Sequence, residues 1–258
     1  MYPYEIIFDL GLYEIMLVVG FFGALLYFRI FADRIGFGAR MQNLCIGCAM
    51  AALVTGYLSA VLFQAFYNSL QDGVLEVTKT TGATFYGGLI GGALLYIAAY
   101  FGVGHFVLKK GETVRNFQPL SNIAAGSIAV AHGFGRLGCL FAGCCHGAVT
   151  DKWYGIYHVH LNAKAVPTQL FEAIFLFLLF GYLTYRLVKG KGHNLAVYLM
   201  AYAVWRFFAE FLRADDRGAT VIRALSPSQL TAVILFAVGG AVLAVELWLA
   251  KKETAHEA

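Results

Sequence analysis

The sequence predicts an all-α fold, a polytopic membrane bundle of about seven transmembrane helices, and three observations carry that expectation. Hydrophobic residues make up 60% of the chain and charged residues only 13%. At a mean hydropathy of +0.68, too little polar surface is left to cover a globule in water. The apolar residues also gather into windows of span length, since about 20 residues cross a hydrocarbon core. The connections between windows are short, so residues 1–258 read as one integral membrane domain, with 144–167 forming an extracytoplasmic loop or arm.

The windows run over 14–31, 45–67, 84–103, 123–141, 169–187, 195–212 and 230–249. Ahead of the first, residues 1–12 hold Glu5 and Asp9, no Lys or Arg and no small-residue cleavage pattern, so no removable signal peptide is expected. Cys45 and Cys48 open the second window as CxxC, and in a membrane helix two thiols read as small apolar packing residues. Gly87, Gly88, Gly91 and Gly92 in the third would let helix backbones approach closely. The fourth is the weakest, rich in Gly and Ala and containing Arg136. A loop at that depth would leave backbone groups unpaired in hydrocarbon, so a shielded helix is expected there, with Gly135 and Gly138 at packing distance. In the following loop Trp153, Tyr154 and Tyr157 suit an interfacial aromatic belt, while His158 and His160 alternate as in an extended, solvated segment.

The net charge of +4 is dispersed through loops, and the 22 Phe and 15 Tyr lie mostly inside apolar runs. That pattern excludes nucleic acid as a partner. Seven spans put the termini on opposite sides. Of the 19 Lys and Arg, eleven fall on one alternate set of connections and six on the other, which places the N-terminus outside and the C-terminus in the cytoplasm.

With that orientation the polar residues of the spans fall at one level, in the outer half. Tyr13 and Glu14 open the first span, Tyr86 stands near the start of the third, Gln169 and Glu172 start the fifth, and Ser228 and Gln229 precede the seventh. Gln64, Arg136, Arg206, Glu210 and Arg213 lie late in the even-numbered spans. An uncompensated charge there costs about 2.5–3.5 kcal/mol, so a buried outer-leaflet site is expected. Tyr202, Arg206, Glu210 and Arg213 share one helical face, as do His132, Arg136 and Cys139. Two guanidiniums in a low-dielectric hollow require an anion, which is Glu172, Glu210 or the phosphate of a ligand. The competing reading is a structural Arg–Glu pair that pins helices together.

These residues resemble a family, the bacterial prolipoprotein diacylglyceryl transferases. GRLGCLFAGCCHG at 135–147 is similar to the family signature through its GRxG opening and closing Gly, which places Arg136 at the family's essential arginine. FYGGLIGG at 85–92 is similar to a segment with a His-Gly-Gly core, and PTQLFE at 167–172 to an HPSQLYE-like stretch. AYAVWRFFAEFLR at 201–213 carries Tyr, Arg, Glu and Arg at the family spacing, Tyr13 matches the tyrosine of the first span, and SPSQL at 226–230 resembles the motif before the last helix. The chain departs from the pattern in having Tyr86 for the histidine, Cys139 and Ala142 for two asparagines, Cys144 for an acidic residue and His132 for an apolar one.

The resemblance implies transfer of a diacylglyceryl group from phosphatidylglycerol to the cysteine thiol of a lipoprotein precursor, with release of glycerol phosphate at the outer face of the bacterial cytoplasmic membrane. The implied catalytic residues are Arg136, Arg206, Tyr86, Cys139 and Cys144, and the implied substrate-binding residues are Tyr13, Gln169, Glu172, Tyr202, Glu210 and Arg213. A guanidinium holds phosphate oxygens in a fork and stabilises charge growing on a leaving phosphate. The acceptor thiol needs a base or cation to become thiolate, for which His132, His146 and Tyr86 are the candidates. Cys144 and Cys145 could be oxidised, bind a metal with His146, or supply a nucleophile; no cofactor and no metal are expected for the parent reaction. The partners are phosphatidylglycerol, the precursor peptide and the membrane. Two other functions fit the residues, a phospholipid-dependent transferase with a different acceptor and a thiol of its own, and a small-anion transporter. Transport would extend polar residues through the inner half, where the chain offers only His132 and Glu246.

Overall fold

A span has no water to satisfy its backbone, and only the helical ladder pairs every N–H and C=O internally. In the computed structural model, which describes residues 5–7, 10–72, 77–78, 81, 84–213 and 225–257, each apolar window forms a helix. The helices are α1 (Leu12–Arg34), α2 (Ala39–Asp72), α3 (Phe85–Val107), α4 (Glu112–Ala142), α5 (Thr168–Val188), α6 (Asn194–Ala209) and α7 (Pro227–Glu257). All seven segments are long and apolar enough to cross a membrane. Two antiparallel hairpins accompany them, β1 (Glu5–Ile7) with β2 (Leu10–Gly11), and β3 (Ile156–His158) with β4 (Ala163–Ala165). Part of the segment on which the expected lack of a signal peptide rests, residues 1–4 and 8–9, lies outside the described residues.

Two helix bounds depart from the windows for physical reasons. Helix α4 starts at Glu112, well ahead of position 123, because its first turns carry Arg115, Asn116, Gln118 and Asn122 and have no hydropathic signal; it continues through Pro119. Helix α6 stops at Ala209 and tightens into a 3-10 turn over Glu210–Leu212, after which Arg213 is extended at φ −102° and ψ 150°. The expectation of one helical face from Tyr202 to Arg213 therefore fails at its last member, which lies beyond the helix.

The chain contains two compact units, residues 32–117 and residues 1–31 with 118–258. In the first, α3 packs on α2 through small residues, as the glycine spacing predicts. A Cβ on Gly56 would meet the carbonyl oxygen of Gly88 at 3.0 Å, and the Ser59 hydroxyl donates to the carbonyl of Gly87 at 2.8 Å. The Gln64 Oε1 accepts from Thr84 at 2.5 Å while its Nε2 donates to Asn68 at 2.9 Å, so Gln64 ties the end of α2 to the start of α3. Cys45 and Cys48 are buried, in keeping with a packing role.

In the larger unit α4, α5 and α6 enclose a core of Ala125, Ala129, Leu176, Leu179, Leu183 and Tyr198. Helix α1 lies close on α4: a Cβ on Gly20 would sit 2.9 Å from the Cβ of Phe134, and one on Gly138 would sit 3.1 Å from Cδ2 of Tyr13. Gly135 has no such neighbour, the nearest atom being Leu17 Cδ2 at 4.0 Å, so only one of the two expected packing glycines serves. At one end the buried Asn194 receives Arg186 Nε at 3.0 Å and gives its backbone N–H to Asn122 at 2.8 Å, joining α4, α5 and α6. Phe22, Leu26, Val54, Leu94 and Leu178 are exposed along the helices, the surface a lipid solvent requires.

Candidate functional site

Glu172 lies near the start of α5 with only 3% of its side chain exposed, a position that a carboxylate holds only with compensation. Three side chains from two neighbouring helices supply it. Arg136 of α4 lies with Nε 3.0 Å from Oε1, the hydroxyl of Tyr202 of α6 donates to the same oxygen at 2.8 Å, and His132 Nε2 stands 3.9 Å away. The His132 ring is fixed on its other side by Tyr198, Nδ1 to hydroxyl 3.1 Å, and meets the edge of Tyr202 at 4.8 Å. The face of His132, Arg136 and Cys139 read from helical spacing is thus real, and two of its members converge on one carboxylate.

Arg206 has its own anion. Its Nη2 donates to Glu210 Oε2 at 3.0 Å and to Ser228 Oγ of α7 at 2.8 Å, and Ser226 donates to the other Glu210 oxygen at 2.9 Å. The two guanidiniums are therefore not joined by a shared carboxylate: Arg136 has Glu172 and Arg206 has Glu210. Their side chains keep partial exposure, 19% for Arg136 and 12% for Arg206.

Beyond α4 the chain reverses through Gly143 at φ 74° and Cys145 at φ 60°. The left-handed conformation costs a non-glycine residue about 1–2 kcal/mol, so it must be held by its surroundings. Arg213 donates to the Cys145 carbonyl at 2.8 Å, Thr168 to the same oxygen at 2.9 Å, and Gln169 to the carbonyl of Cys144. Gly147 then pairs with Val166 and Ala148 with Leu212, stitching the chain to the hairpin and to the end of α6. The result places the sulfurs of Cys139, Cys144 and Cys145 all within 4.8 Å of one another. Hydrogen bonds from Cys139 and Cys144, with the charges of Arg136 and Arg213, hold the Cys145 thiol below the ordinary thiol range against the opposing effect of burial.

Arg136, Glu172 and Tyr202 come together as one cluster, Arg206 and Glu210 as a second, and Cys139 and Cys144 as a third. Tyr13 packs against Gly138, the residue before Cys139. Gln169 and Arg213 are turned to the backbone of the cysteine turn. Tyr86 falls in the first turn of α3, and its side chain lies outside the described residues. His158, expected in a solvated loop, is instead 1% exposed and stands edge to face with His146 at 4.8 Å, because the hairpin folds it inward; His160 is exposed. Tyr198, Thr168 and Ser226 were not legible as site residues. Tyr198 lies one helical turn before Tyr202 on the face already marked by Tyr202 and Arg206, a signal that could have found it.

The sequence matches the family described as prolipoprotein diacylglyceryl transferase over residues 4–245. It is similar to phosphatidylglycerol–prolipoprotein diacylglyceryl transferase 2 of Clostridium perfringens, 37% identical over 169 residues covering 63% of this chain and 61% of that relative. It is also similar to the proteins of the same activity name from Clostridium tetani, 34% identical with 64% and 65% covered, and Dehalococcoides mccartyi, 27% identical with 81% and 78% covered. The chain thus spans less than two thirds of the length of the first two, 61% and 65%. With the family matched across nearly all its residues, the chain belongs to the prolipoprotein diacylglyceryl transferase family.

Proposed function

We propose that the protein moves a diacylglyceryl group from phosphatidylglycerol to the thiol of a prolipoprotein cysteine and releases glycerol phosphate. The observation that carries this reading is the position of Arg136, supplied by the GRLG stretch, on the buried Glu172 that also takes Tyr202 and one helical turn before Cys139. A partly exposed guanidinium in low dielectric is suited to take a phosphate diester and to neutralise the charge that grows on the leaving phosphate. Arg206, held by Glu210 and Ser228, supplies a second positive charge. Glu172 and Glu210 keep the two cations in place before the lipid arrives.

In this reading Arg136 and Arg206 bind the phosphate, and Tyr13 hydrogen-bonds the headgroup or the glyceryl oxygens. Tyr202 and Glu172 position Arg136, and Glu210 positions Arg206. Gln169 and Arg213 position the cysteine turn. Residues 144–167 form an arm over the site, which faces the outer side of the bacterial cytoplasmic membrane, with the N-terminus outside. The test is purified protein in liposomes with phosphatidylglycerol labelled in its glyceryl moiety and a peptide carrying the acceptor cysteine. Label is expected on the peptide thiol; label absent from the peptide while the protein is folded and inserted overturns the reading.

A further inference from the structure

A reaction that alkylates a thiol needs thiolate at neutral pH. The histidine of the family's third-span motif is Tyr86 here, and His132 is engaged between Tyr198 and Glu172. What the chain offers instead beside Arg136 is three thiols. We propose that Cys139, Cys144 and Cys145 form a three-thiolate site for a zinc-like divalent cation, with a fourth position open to the thiolate of the acceptor cysteine. The inference deepens the transferase reading and rests on it for the identity of that fourth ligand.

Geometry supports the assignment. Zn–S bonds of about 2.3 Å in a tetrahedron put the sulfurs about 3.8 Å apart. The three sulfurs already lie within 4.8 Å of one another, at most about 1 Å wider than that spacing. The turn that presents two of them is built and not loose, with both its carbonyls bonded by Gln169, Thr168 and Arg213. Among the described residues no His, Asp or Glu joins the group, and His146 points its Nδ1 at the Gly147 carbonyl, 3.0 Å away. Three protein ligands are the count that leaves a catalytic zinc an open position, whereas structural sites are closed by four. Cys144 is exposed, so that position is reachable.

Charge agrees. Three thiolates around a divalent cation carry one net negative charge, and a fourth thiolate makes two. Arg213, which donates to the Cys145 carbonyl, and Arg136, one helical turn before Cys139, are cations at this site and offset that charge. In the transfer step the acceptor thiol gives its proton to water on binding the cation, which deprotonates a coordinated thiol. The bound sulfur attacks the glyceryl carbon that carries the phosphate: the S–C bond forms as the C–O bond breaks, and the electron pair leaves with glycerol phosphate toward Arg136. The thioether product is a weak ligand and dissociates. A protein cysteine acting as nucleophile would become such a thioether itself, a poor leaving group, so ligation is the productive use of these thiols.

The test uses the full chain, purified reduced and metal-free in detergent, with Co(II) as the probe. A thiolate-to-cobalt charge-transfer band that zinc displaces is expected, lost in Cys139→Ser, Cys144→Ser and Cys145→Ser and kept in Cys48→Ser. A peptide carrying the acceptor cysteine should intensify the band, and the same peptide with serine should not. No band in the reduced wild type, a band that survives all three serine variants, a cysteine peptide without effect, or a diacylglyceryl adduct on one of the three thiols overturns the proposal. These spectra need no turnover. A protein that shows the four-sulfur spectrum but labels no peptide keeps the metal site and loses the transferase reading; one that labels the peptide and binds no cobalt does the reverse.

Discussion

Arg136 and Tyr202, on different helices, converge on a single oxygen of Glu172, at 3.0 Å and 2.8 Å. Neither contact is equivalent to the other. The guanidinium compensates the charge of a carboxylate that is 3% exposed, whereas the phenol adds a neutral donor. Glu172→Gln leaves Arg136 as an uncompensated cation and should lower stability by about 3 kcal/mol, the scale for breaking a buried pair. Tyr202→Phe removes one hydrogen bond and should cost about 1–2 kcal/mol. Thermal unfolding of the two variants in detergent checks the order; equal midpoints would show that the charge on Glu172 is not what Arg136 needs.

Lysine at position 136 preserves the charge and removes the planar fork that matches phosphate oxygens. Arg136→Lys should therefore insert normally and lose about 100-fold in kcat/KM, the scale of losing one oriented donor to a developing anion. The check is the rate of label transfer from phosphatidylglycerol at matched protein in the membrane. Activity within a few-fold of wild type would remove this residue from phosphate recognition.

The fold was legible because hydrocarbon imposes one solution on each apolar window, and the seven windows all became helices. Helical periodicity likewise found His132 with Arg136, and Tyr202 with Arg206 and Glu210. It failed where the helix ended: Arg213 departs after the 3-10 turn and reaches the Cys145 carbonyl, a contact that depends on the path of a loop between distant helices. The burial of His158 was hidden for the same reason, since a β-hairpin of six paired residues, not local polarity, turns the ring inward. The pairing of Arg206 with Glu210 was legible at four-residue spacing on one helix, whereas that of Arg136 with Glu172 joins two helices and had no local signal.

His158 gives stability a pH dependence. Burial, and then the neighbouring His146, lowers its proton affinity below the ordinary value of 6.5. As pH falls through 6.5 the unfolded chain takes up this proton and the folded chain does not, so unfolding gains and stability declines with acidity, with a slope set by the difference in bound protons. The contribution of the neutral ring is fully present above 6.5. His158→Phe should flatten the unfolding midpoint between neutral pH and mild acid relative to wild type. A wild-type midpoint that does not move over that interval would show that the ring is protonated as readily in the fold as out of it.

Gly147 sits where three structural elements meet, and it has no room for a side chain. A Cβ there would press on the carbonyl oxygen of Leu212 and stand 2.9 Å from both Thr168 Cγ2 and Val166 Cβ. The Leu212 carbonyl is backbone and holds the N–H of Ala148, so it cannot yield without releasing the end of α6. Thr168 cannot yield without releasing the Cys145 carbonyl it bonds. Gly147→Ala should therefore displace the cysteine turn from Thr168 and Arg213 while leaving the spans intact. Transfer should fall by about tenfold or more, since a displacement of about 1 Å at a site can cost 100-fold. Labelling of Cys144 and Cys145 by a membrane-impermeant maleimide should quicken at the same time. Gly181→Ala is the matched control, because nothing lies within 4 Å of a Cβ built at that position of α5. Loss of transfer in Gly147→Ala with unchanged labelling would mean that the turn had stayed in place, and that the glycine serves the helix ends alone.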